Sequence, residues 1–126
     1  MPLLVPISVG ELLDKIGILQ LKAAAVADPA KRANVLHELA LLDVVRQREV
    51  GPSPELDALC AALAAVNREL WEIEDDIRAC ERAGRFDAHF VALARGVYRA
   101  NDRRAALKRQ INELTGSDIV EEKSYR

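Results

Sequence analysis

A row of polar side chains runs beside an apolar one in the second half of the chain. Asn67, Trp71, Glu74, Arg78 and Glu81 recur every three or four residues, the spacing that places side chains on one face of a helix. Tyr98, Asn101, Ala105, Lys108 and Asn112 repeat that spacing further on, with Arg104 beside them. Two such faces folded together bring Arg78, Arg104 and Lys108 within reach of one anion, with Trp71 and Tyr98 as a wall and Glu74 and Asn101 as polar neighbours. Lys15 and Lys22, early in the chain, can add further cations. Lys15, Trp71, Glu74, Arg78, Tyr98, Asn101, Arg104 and Lys108 are therefore the candidate ligand-binding set. The same residues also suit a polar network that fixes the register of paired helices, and this is the preferred reading.

Two acidic pairs at helical spacing, Glu11 with Asp14 and Glu72 with Asp75, raise the question of a divalent cation. Their positions argue against it. Glu72 and Asp75 fall on the solvent side of their helix. Glu11 completes a capping box with Ser8, and Asp14 suits the positive end of a helix dipole. His37 and His89 have no carboxylate or Cys at ligand spacing, and Cys60 and Cys80 read as buried reduced thiols. Neither a phosphate-cradling glycine loop nor a nucleophile motif is present, so no metal and no cofactor is expected, and no residue is assigned a catalytic role.

The elements that position these residues are strongly punctuated. Ser8 starts a first helix that runs from about residue 9 to 27. Asp28 and Pro29 start a second, over about 29–50, which Gly51 closes; Ser53 and Pro54 start a third, over about 54–83, which Gly84 ends. Asp87 caps a fourth, over about 88–115, which stops at Gly116. The third helix carries the apolar seam Leu56, Leu59, Leu63, Val66, Leu70, Ile73, Ile77 and Cys80. The fourth carries Phe90, Leu93, Val97, Ala100, Arg104, Leu107, Ile111 and Leu114. Folded back at Gly84 to Phe86, the two seams match from Leu56 against Leu114 to Cys80 against Phe90 at a constant sum of residue numbers, with Arg104 as the one polar member. The expected fold is all-α: a long antiparallel coiled-coil hairpin packed on a two-helix N-terminal hairpin, in one domain over residues 1–126. Residues 117–126 form a tail, with a late Tyr125, that is loosely held or docks on a neighbouring chain. The first two helices are apolar on more than one side, which calls for a second partner and favours a homodimer.

Composition agrees with packed helices, since half the residues are hydrophobic but only 4% are aromatic. The net charge of −2, from 18 basic and 20 acidic residues, argues against nucleic-acid binding. MPLLVPISVG lacks the basic start of a signal peptide, and no apolar run is long enough to span a membrane. A cytoplasmic protein is expected.

Three segments, ISVGELLDKIGILQLK, VNRELWEIEDDIRACE and VYRANDRRAALKRQINELTGSDIVEEKSY, together resemble a family of small all-helical bacterial proteins classed as a domain of unknown function. The resemblance spans nearly the whole chain and implies bacterial origin and a stand-alone helical domain. It brings no activity and no catalytic residues. A Glu is usual in that family where this chain has Gln20, which puts in doubt any acid or metal role there.

The resulting expectation is a non-enzymatic module for protein interaction or assembly, homodimeric or with a protein partner, in which Arg104→Leu is tolerated or stabilising. The alternative is a site for an anionic small molecule such as a nucleotide or sugar phosphate, with hydrolysis as a further step.

Overall fold

In a computed structural model, which describes residues 1–122, the chain forms four helices: α1 (Val9–Ala25), α2 (Pro29–Glu49), α3 (Pro54–Ala83) and α4 (Ala88–Thr115). Tyr125 lies outside the described residues. Each boundary has a local cause. Ser8 Oγ accepts from Glu11 N at 3.0 Å and Ser53 Oγ from Leu56 N at 3.2 Å, while Asp87 accepts from His89 N and Phe90 N. Gly84 and Gly116 end α3 and α4 in the left-handed region, with φ of 67° and 66°.

The first interhelix junction departs from expectation. α1 stops two residues early, at Ala25, where Val26 turns extended. Asp28 makes no side-chain cap for α2; instead Arg32 Nε donates to the Ala23 carbonyl at 3.0 Å, satisfying the end of α1 rather than the start of α2. Gly51 does not supply a left-handed cap either, because α2 ends on an extended Val50.

The α3–α4 hairpin is the longest element, with arms of 30 and 28 residues, about 45 and 42 Å. Ile73 lies against Gly96, and Glu69 pairs with Arg103, both within two residues of the expected register. All sixteen seam positions are buried or half-buried except Leu114, which is 45% exposed while its counterpart Leu56 is 2% exposed.

The first two helices do not pack as an equal layer on that hairpin. α1 lies on both α3 and α4, whereas α2 runs along α1 alone. Leu12, Leu13, Ile16, Leu56, Leu63 and Ile111 form the core; from α2 only the partly buried Leu39, Leu42 and Val45 reach it. α2 fully buries none of its residues. No helix among the described residues is long and apolar enough to cross a membrane.

α1 and α4 approach closely at Gly10. A Cβ there would stand 2.6 Å from the Lys108 carbonyl oxygen, and Gly10 N donates to the buried Asn112 Oδ1 at 2.7 Å. Gly17, on the same helix, has no atom within 4 Å of its would-be Cβ. Urea unfolding should therefore separate the two sites: Gly10→Ala loses about 1–3 kcal/mol through overpacking, whereas Gly17→Ala gains up to about 1 kcal/mol from helix propensity.

Candidate functional site

The polar residues of α1, α3 and α4 gather in two adjoining places. The first is a charge cluster in which every strong group has a partner. Asp14 is completely buried. Its two oxygens accept from Arg104 Nε at 3.1 Å each, its Oδ2 also accepts from Arg104 Nη2, and its Oδ1 accepts from Asn67 Nδ2 at 2.9 Å. A carboxylate so enclosed is stable only when its hydrogen-bond capacity is filled, and here one guanidinium and one amide fill it.

Glu11, one turn before Asp14, accepts from Lys108 Nζ and lies 3.9 Å from Lys15. Lys108 also meets Glu121 at 3.4 Å, and Glu121 accepts from Ser8 Oγ at 2.6 Å. Arg109 pairs with Glu122 at 2.9 Å. The described part of the tail is thus strapped across the start of α1. Burial opposes the charge on Lys108, but the hydrogen bond and charge of Glu11, helped by Glu121 and Asp14, raise its affinity for the proton above the ordinary lysine value. The hydrogen bonds that Arg104 donates to Asp14 raise that of Arg104. The Ser8 hydrogen bond, with Lys108 nearby, lowers Glu121 against the opposing effect of burial.

These contacts change the meaning of both acidic residues of α1. The Glu11 side chain does not close a capping box, and Asp14 is no dipole ornament; both are held by cations of α4. This arrangement argues against the expectation for Arg104→Leu, because the substitution leaves the buried Asp14 with the Asn67 amide and the Lys108 ammonium 3.9 Å away.

The second place is a groove of about 570 Å³ where α1 ends above the hairpin. Ile18, Leu21, Leu70 and Trp71 form its sides. Asn67, Asn101 and Arg104 lie at its more buried end, and Lys22, Glu74, Asp75 and Arg78 stand exposed at its mouth. Among the described residues, no ion pair engages Lys22, Glu74, Asp75 or Arg78.

Of the eight candidate residues, the groove brings together Trp71, Glu74, Arg78, Asn101 and Arg104. It does not include the other three. Lys108 belongs to the charge cluster, Lys15 is half-exposed beside Glu11, and Tyr98 is 54% exposed along α4. Lys22, Asn67 and Asp75 take part in the groove although they were outside the candidate set. Row position signalled Asn67 and a place beside the α1 seam signalled Lys22, but Asp75, read as solvent-facing, joins the groove only once α1 is laid along α3. No group of three or more His, Cys, Asp or Glu among the described residues is arranged to hold a metal ion. Cys60 and Cys80 are free thiols, and burial pushes Cys60 up, away from thiolate reactivity.

Two measurements follow. In urea unfolding, Arg104→Leu should lose about 3–5 kcal/mol, while the double change Asp14→Leu with Arg104→Leu should recover most of it; a double variant no better than the single one would show that the pair is not what the site depends on. The lowered Glu121 contributes stability that is complete above its ordinary value of 4.5 and disappears as pH falls through the lowered one. Glu121→Gln should accordingly lower stability at neutral pH and flatten the acid side of the stability-against-pH curve, the variant and wild-type curves converging in acid.

Comparison with known proteins gives a family without a chemistry. Searches of curated proteins and of solved structures returned no match. A family model, described as a family of unknown function (DUF6165), matches residues 3–126. With the match covering nearly its whole length, the chain belongs to this family of unknown function.

Proposed function

We propose that the protein is a non-enzymatic helical assembly module that pairs with a second copy of itself through the outer face of α2, in the cytoplasm. The observation that carries this reading is the one-sided packing of α2. Its inner face meets α1, and its outer face presents Ala33, Leu36, Ala40 and Val44 at spacings of three and four residues, all exposed. Leu36 is 41% and Val44 59% exposed, with Leu41 beside them at 44%. An apolar row of this kind on a helix that fully buries nothing is the surface a second helix would cover.

The row is also self-complementary. In an antiparallel pair centred on Ala40, Leu36 of each copy faces Val44 of the other, and Ala40 meets Ala40, where two small residues allow the helices to approach closely. The charge cluster supports a structural role for the polar residues nearby, since no buried side-chain nitrogen or oxygen among the described residues lacks a hydrogen-bond partner.

Sedimentation equilibrium tests the proposal. The wild-type chain should be a dimer in the micromolar range, and Leu36→Glu with Val44→Glu should be a monomer with unchanged helical circular dichroism. A wild-type monomer at those concentrations, or a double variant that remains dimeric, would falsify it.

A further inference from the structure

The groove at the end of α1 has a direction. Its inner end carries hydrogen-bond donors, its sides are hydrocarbon and indole, and its mouth carries both signs of charge. Arg104 links this groove to the charge cluster. Asp14 occupies the Nε and Nη2 edge of the guanidinium, and Nη1 takes no part in that pairing. A guanidinium clamped along one edge is already oriented when a second anion arrives, so it loses little further freedom on binding. Asn101, half-buried on the same helix about one turn away, lines the same end of the groove.

The geometry points to a binding site for a small apolar carboxylic acid. Its single carboxylate is held by Arg104 and Asn101, and its aromatic or branched hydrocarbon body lies against Trp71, Ile18 and Leu70. A monoanion fits better than a dianion. Asp14 stands behind Arg104 and already offsets its charge, and Glu74 and Asp75 at the mouth counter Lys22 and Arg78. The two acids and two bases at the mouth sum to no net charge, so a second negative charge would gain no net attraction there. The volume of about 570 Å³ lies in the range of small-molecule sites. No residue of α2 lines the groove, so the site is independent of self-association through α2.

Trp71 is the only tryptophan of the chain, which makes its fluorescence a local reporter. The probes are 3-phenylpropanoate, its neutral analogue 3-phenylpropanamide, and the dianion phenyl phosphate. The carboxylate should produce a saturable change in Trp71 emission with a Kd on the order of 1 mM or below. The amide should bind about tenfold more weakly or worse, the loss expected of one charge-assisted contact, and phenyl phosphate should also bind more weakly than the carboxylate. Asn101→Leu leaves the Asp14–Arg104 pair in place and should weaken the carboxylate roughly tenfold with the helical circular dichroism retained. Equal binding of acid and amide would make the groove an apolar docking surface and overturn the assignment. Tighter binding of phenyl phosphate would overturn the choice of a monoanion, and no saturable change with any of the three would remove the site altogether.

Discussion

A carboxylate with no exposure to solvent constrains everything packed around it. Asp14 sits between α1, α3 and α4, and each of the other two helices must deliver one particular donor to it, Asn67 from α3 and Arg104 from α4. Sliding α1 by one turn along the hairpin would strand the carboxylate in apolar surroundings, a cost of several kcal/mol per unpaired ion. Apolar contacts alone are more forgiving, because leucines at three-four spacing find new leucines after a one-turn shift. The polar contacts are what make one register of α1 distinct from its neighbours, and the close approach of Gly10 to the Lys108 carbonyl, with Asn112 accepting from Gly10 N, fixes the same register one turn away.

Much of the architecture was legible in the sequence because its signals are local. Ser8, Ser53 and Asp87 cap helices where expected, Gly84 and Gly116 end them, and the matched seams of α3 and α4 anticipate the pairing of Ile73 with the Gly96 region. The readings that failed were those in which a local explanation was available but a distant partner prevailed. Glu11 and Asp14 each have a good reason to stand in the first turns of α1, yet both meet α4 about ninety residues later. The spacing of α4 sets Arg104 in the seam and Lys108 beside it, apart from Arg103, which turns toward Glu69, but it does not say that both turn toward the acids of α1. Asp28 shows the reverse case, a residue with a capping signal whose side chain makes no capping hydrogen bond.

The groove arises from unequal helix lengths. α1 has 17 residues and α3 has 30, so the hairpin extends beyond the point where Val26 leaves the helix. A longer α1 would continue over Trp71 and Arg78 and close the space. α2 runs back along α1 and meets no other helix, so its outer side is uncovered for a different reason: the chain has no further helix to lay on it among the described residues.

The separation between partners along the chain also orders their assembly. α3 and α4 join through a turn of a few residues, so their contacts begin locally and extend outward with little loop-closure cost. The contacts of α1 with α4 join residues 90 to 102 positions apart. Until the end of α4 is in place, Asp14 has no guanidinium to meet and α1 gains little by docking. The buried ion pair therefore acts as a check on completeness: the first helix is secured only after the last one has formed.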